Sequence, residues 1–198
     1  GRKLPTARKK SLAILKPGTE NSFLLLTTNE NGDLLYNEIN TALPGHSNTA
    51  NPWGEIVHTN LLLDAANSSY SYGRYLAAIE DHLNGSHIVY ATRYTPPASP
   101  SLEGTTELVA FEFTEHNLMP TPEVMASYPS FDEYGGGEIQ LNASGTKIGV
   151  YNRMKYVGLF DHQEIDKKVY GINTDKKSIA STQTLDEVNK LSGNKEEG

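Results

Sequence analysis

The feature that most limits what this chain can fold into is a series of short alternating segments cut by tight turns. It is most compact in GGGEIQLNASGTKIGVYNRMKYVGLF, from Gly135 to Phe160. Glu138 to Leu141 alternates, and Asn142-Ala143-Ser144-Gly145 reads as a turn in which Gly145 is free to take a positive φ. Lys147 to Tyr151 is a β-rich run, Asn152-Arg153 a polar stop, and Tyr156 to Phe160 a third strand.

The rest of the chain follows the same pattern. Ser11 to Leu15 is a short apolar run stopped by Lys16-Pro17-Gly18. Phe23 to Thr28 (FLLLTT) reads as a buried strand. Asn31-Gly32 suits a type I′ hairpin turn, and Asp33 to Ile39 is the returning strand. Thr41 to Pro52 is loop. Trp53 to Thr59 is a strand whose Gly54-Glu55-Ile56 echoes Gly137-Glu138-Ile139, with the intervening residues read as an insertion into a repeated unit. Within that insertion Arg74 to Asp81 is expected to form a short helix. His87 to Thr92 is a strand ending at Arg93, and Tyr94 to Thr106 is a Pro-rich loop. Glu107 to Phe113 has period 2, with Leu108 and Ala110 on one face and Val109, Phe111 and Phe113 on the other. Lys168 to Asn173 and Ser178 to Gln183 are further strands, and 186–198 a frayed tail. About ten short strands with turn signals every ~8–12 residues make an all-β domain over 1–198. Strand, turn, strand ending in Asn-Arg and strand again is the pattern of a β-propeller blade, and three to four blades fit in this chain.

Composition excludes some functions. The 198 residues carry 24 acidic and 17 basic side chains, a net charge of −7, which disfavours nucleic acid as a partner. The one basic cluster, at residues 2–10, reads as a solvated terminal segment. The chain has no cysteine, so disulfides, thiolate metal sites and a cysteine nucleophile are excluded while the compartment, secreted or cytoplasmic, stays open. No stretch approaches the ~18 apolar residues of a membrane span. Asn67, Asn84 and Asn142 each begin an N-x-S sequon in an expected turn and are candidate glycan acceptors.

Three stretches, taken in order, resemble the seven-bladed propeller lactonases, a family that includes 6-phosphogluconolactonase and fungal carboxy-cis,cis-muconate cyclase. They are FLLLTTNENGDLLYNEI; GEIVHT followed by HIVYATRYTP and ELVAFEF; and GGGEIQLNASGTKIGVYNRMKYVGLF. The resemblance implies a lactonase-type hydrolase or a lactone-forming cycloisomerase. It would act on a small anionic lactone or dicarboxylate, and nothing in the sequence calls for a metal or organic cofactor. Glu30 matches the family's pocket Glu and Arg93 its second pocket Arg. No Arg stands in register for the first one, where the chain reads ARKKSLAIL, and the family's His belongs to an earlier blade. A seven-bladed ring takes about 300–350 residues, so the chain is expected to be a partial ring. It would be completed by missing blades or by self-association, since a half-ring leaves two blade faces uncovered.

In this reading Glu30 moves a proton and Arg93 holds a substrate carboxylate with its planar fork. Arg153 and His58 are candidate substrate contacts. The plainer alternatives are a solvated turn residue for Glu30, a strand-end ion pair for Arg93 and a surface ion pair for Arg153. Glu55 and Glu138 read as blade-packing residues. The histidines show no metal-type spacing, and no nucleophile elbow, Walker or G-x-G-x-x-G motif is present. The rival function is a catalytically silent propeller that binds a partner.

Overall fold

A computed structural model of the chain describes residues 11–43, 54–67, 69–81, 84–98, 104–130, 139–142, 147–157, 163–173 and 178–184. All the regular structure among them is β, in twelve strands. The first sheet holds β1 (Ser11–Leu15), β2 (Ser22–Thr28), β3 (Leu34–Asn40) and β4 (Glu55–Asp64). The second holds β5 (Ser71–Asp81), β6 (Ser86–Thr95), β7 (Gly104–Phe113) and β8 (Glu123–Ser130). The third holds β9 (Ile139–Leu141), β10 (Lys147–Val157), β11 (Gln163–Asn173) and β12 (Ser178–Thr184). Each sheet is an antiparallel meander whose strands lie in chain order.

The sheets stack because the second is apolar on both faces. In β7 the odd positions Val109, Phe111 and Phe113 pack with Leu24, Leu26, Leu34 and Tyr36 of the first sheet. The even positions Leu108 and Ala110 pack with Ile139, Ile148, Val150 and Ile172 of the third. This is the two-faced alternation expected of Glu107 to Phe113. Aromatic rings thicken both seams. Tyr36 meets Phe113 edge-on with centroids 6.3 Å apart, and Tyr128 stacks on Tyr170 at 4.6 Å. The first strands also touch in series, β1 against β5 and β5 against β9.

Several local expectations are corrected. Residues 74–81 are strand, the greater part of β5, because Ala77, Ala78 and Ile79 lie against β6 and bury side chains alternately toward the two seams. A helix would bury only one stripe. Asn152-Arg153 does not stop a strand, since β10 runs unbroken from Lys147 to Val157 and pairs with β11 throughout. Eleven paired backbones outweigh the weak β propensity of two polar residues. The two Gly-Glu-Ile triplets are not equivalent positions. Gly54-Glu55-Ile56 opens the last strand of the first sheet, whereas Ile139 opens the first strand of the third. The intervening residues form a whole sheet rather than an insertion.

The β2–β3 turn is not type I′ either. Gly32 has φ +83° while Asn31 stays at negative φ, and the Gly32 N–H donates to the Asn29 carbonyl at 3.2 Å. That is a type I turn closed by a left-handed glycine. Asn29 decides it, because its Oδ1 accepts the N–H groups of Asn31 and Asp33, both at 2.9 Å. The turn expected at 142–145, the end of the strand expected over 156–160, the loop at 44–52 and the tail at 186–198 lie outside the described residues.

Phe111 is fully buried in the first seam. Phe111→Ala should cost about 3–5 kcal/mol through lost burial and a residual cavity. A lowered urea midpoint with an unchanged slope would show it, and a loss below about 1 kcal/mol would contradict the packing described.

Candidate functional site

The polar groups that converge in this fold lie where the first sheet hands over to the second. Gly32 brings the two together. Its carbonyl accepts the Tyr72 N–H at 2.9 Å, and a Cβ at Gly32 would sit 2.7 Å from the Ser71 Cβ. Beside it Asp33 Oδ1 accepts the Ala66 N–H at 2.8 Å, and Asp33 Oδ2 accepts Asn29 Nδ2 at 2.7 Å. The turn that carries Glu30 is therefore fastened to the segment that opens β5.

Next to this contact Asp64, the last residue of β4, receives two phenols. Its Oδ2 accepts the Tyr72 hydroxyl at 2.5 Å and the Tyr70 hydroxyl at 3.1 Å. Tyr72 pairs in register with Arg93 across β5 and β6, and Arg93 pairs with Glu107 across β6 and β7. Side chains directly opposite in a ladder touch. Arg93 Nε donates to Glu107 Oε2 at 2.6 Å, and its guanidinium carbon lies 4.5 Å from the centre of the Tyr70 ring. The Tyr72 hydroxyl lies close enough to the guanidinium to act on its charge. The result is a chain of contacts, Asp64–Tyr72–Arg93–Glu107, with Tyr70 across it.

The electrostatics follow from this arrangement. Burial, then the bond to Asp64, pushes the Tyr72 hydroxyl well above the ordinary tyrosine range. Burial and the Asp64 charge raise Tyr70 in the same direction. Burial opposes the Arg93 charge, but the bond and charge of Glu107 outweigh it, and the guanidinium holds its proton more firmly than usual. The Arg93 side chain is 14% exposed and that of Glu107 25%.

Of the expected site residues, Glu30 lies exposed in the β2–β3 turn. Arg93 does not end its strand, since β6 continues to Thr95; it sits in the ion pair that was the plainer expectation for it. Arg153 is in the middle of β10, paired with Lys167 in the third sheet. His58 belongs to a different cluster. Its Nε2 is 3.9 Å from Glu38 Oε2, while Lys16 Nζ bonds Glu38 Oε1 at 2.7 Å. The His58 side chain is 54% exposed and that of Glu38 only 9%. Tyr36 neighbours this cluster, and burial and the Glu38 charge raise its pKa. Asn67, Asn84 and Asn142 are all exposed. Asn67 caps its own turn, its Oδ1 accepting the Ser69 and Tyr70 N–H groups.

Reading the sequence missed Asp64, Tyr70, Tyr72 and Glu107. Tyr70-x-Tyr72 has the period 2 of a strand edge, and Arg93 and Glu107 flank a hairpin loop, so a cross-strand pair was legible once the register was known. Among the described residues no three His, Asp or Glu side chains gather to hold a metal, and no helix is long and apolar enough to cross a membrane. Compared with protein-family models, with curated proteins and with solved structures, the chain matches none.

Tyr70 and Tyr72 hold their protons more tightly folded than unfolded. Their contribution is complete below pH 10, the ordinary tyrosine value, and drains away as the pH rises above it. Urea midpoints at about pH 9 and about pH 11 should fall less steeply in Tyr72→Phe than in the native chain. Equal falls would remove Tyr72 as a cause. At pH 8 the same variant should lose about 1–3 kcal/mol, because Asp64 gives up a buried donor.

Proposed function

We propose that the chain is part of a β-propeller of the lactonase type, and that the junction of its first two sheets handles a small anionic substrate by opening or closing a lactone ring. The observation that carries this reading is the Gly32–Tyr72 contact, which fastens the Glu30 turn to the strand paired with Arg93. In this reading an acid–base group, Glu30, and a fixed guanidinium, Arg93, serve one site. Support for the propeller comes from three consecutive four-stranded meanders whose first strands meet.

The chemistry would divide as follows. Glu107 takes Arg93 Nε and so fixes the plane of the guanidinium, which leaves the N–H groups on the terminal nitrogens to orient a substrate carboxylate. In ring opening the Glu30 carboxylate would take a proton from the attacking water and return it to the leaving oxygen; in ring closure it would serve the reverse transfer. Asp64 holds Tyr72 against the guanidinium and keeps that arrangement rigid.

A second reading, a catalytically silent binding module, is favoured by the Arg93–Glu107 ion pair itself. One carboxylate, Glu107, already pairs with the guanidinium, and that charge balance opposes a further anion.

The deciding assay is turnover of a panel of phosphorylated and carboxylated lactones, and of the matching open-chain acids, by the native chain and by Arg93→Ala and Glu30→Gln. The proposal expects native turnover and a loss of about 100-fold or more in kcat/KM in each variant. Unchanged turnover in Arg93→Ala would sink it. A folded native chain with no turnover would leave the silent module standing.

A further inference from the structure

The dipeptide Asn-Gly occurs twice in the chain, at Asn31-Gly32 and at Asn84-Gly85. Asparagine is a chemically labile residue, and a following glycine makes it more so. The backbone nitrogen after the asparagine can attack the side-chain carboxamide, and glycine has no Cβ to obstruct the approach. Each dipeptide lies in a hairpin connection, between β2 and β3 or between β5 and β6, with its glycine at positive φ, +83° at Gly32 and +62° at Gly85. The two turns differ in whether the attacking nitrogen is free to move.

In the first turn it is held. Gly32 is buried, its N–H donates to the Asn29 carbonyl at 3.2 Å, and its carbonyl accepts the Tyr72 N–H at 2.9 Å. The Asn31 N–H is also held, by Asn29 Oδ1 at 2.9 Å. Swinging Gly32 onto the Asn31 carboxamide would break the contact that joins the first two sheets. In the second turn the opposite holds. Gly85 is exposed, a Cβ built on it would meet nothing within 4 Å, and none of the described residues accepts its N–H. Asn84 is exposed too. Its Nδ2 donates to Asp81 Oδ2 at 2.8 Å, a bond open to water and therefore weak.

We propose that Asn84 is a deamidation site and that the fold protects Asn31 from the same reaction. The Gly85 nitrogen gives its proton to solvent and bonds to the side-chain carbonyl carbon of Asn84. The bond from that carbon to Nδ2 breaks, and Nδ2 leaves as ammonia with a proton taken from solvent. Water then opens the five-membered imide at either carbonyl and returns a proton to the Gly85 nitrogen, leaving an aspartate or an isoaspartate. One water is consumed and one ammonia released. A carboxylate at this position replaces a donor to Asp81 with a like charge. It does so beside the Asp81–Ser86 pair, where the β5–β6 ladder begins. The isoaspartate adds a backbone carbon to the same turn.

The test is peptide mapping by mass spectrometry of the bacterially expressed chain, which leaves Nδ2 free of any glycan. The folded chain and the guanidinium-unfolded chain are held side by side at mildly acidic and mildly alkaline pH. In the folded chain acid should accumulate at Asn84, faster in alkali because the attacking nitrogen must lose its proton, while Asn31 keeps its amide. Unfolding should bring the two positions to similar rates, since each is then an unrestrained Asn-Gly. Gly85→Ala, whose methyl group has open space, should slow the reaction at Asn84 severalfold with unchanged far-ultraviolet circular dichroism. Conversion of Asn31 in the folded chain as fast as that of Asn84 overturns the inference. So does an amide at Asn84 that stays intact while the unfolded chain converts, or a rate that a folded Gly85→Ala leaves unchanged.

Discussion

The structure depends on one constraint, that the second sheet has no face left for water. Its strands must satisfy the first seam with one parity and the second seam with the other. This explains the apolar centres of β6 and β7, Ile88 to Ala91 and Leu108 to Phe111, where consecutive residues of both parities face a core. Phe111 and Phe113 fill one side while Leu108 and Ala110 fill the opposite side. Once these strands are fixed between two cores, the outer sheets take their positions from them, and the connecting turns meet where the sheets end.

The polar junction follows from that packing. Arg93 and Glu107 have the same parity as Ala91, Val109 and Phe111, so both look toward the first sheet at the rim of its seam. There the apolar core gives way to Asp64, Tyr70 and Tyr72. Leaving a guanidinium at the edge of a core is costly unless a carboxylate meets it. Glu107 does so from the directly opposite ladder position, and the Tyr70 ring lies beside the charge. The backbone bond from the Tyr72 N–H to the Gly32 carbonyl fastens the turn of Glu30 to the same junction.

The cluster around Glu38 shows the other way this fold admits charge. Glu38 shares the inward face of β3 with Leu34 and Tyr36, and it is matched by Lys16 from the β1–β2 turn and flanked by the more exposed His58 of β4. Asn60 is held at φ +54° in the same strand, with its N–H on Asn37, at a break in the β3–β4 ladder. Asparagine tolerates that conformation better than most residues. These features interrupt the β3–β4 ladder at the outer strand, while Leu61 and Leu63 still pack against the first seam.

The sequence by itself determined that the chain is all-β, where most of its strands run, and which side chains of Glu107 to Phe113 face together. Period-2 alternation and turn chemistry are local properties, so they can be read along one dimension. Only the tertiary structure decided that residues 74–81 are strand, because that segment obtains both its partner strand and its two apolar surroundings from elsewhere in the chain. Only it decided the backbone form of the Asn29–Asp33 turn, where a side-chain oxygen overrode the dipeptide preference. Only it joined Arg93 to Glu107 and Tyr72 to Asp64. Each of those contacts needs a register between strands or between sheets, and register is set by the summed fit of whole faces, which no single residue carries.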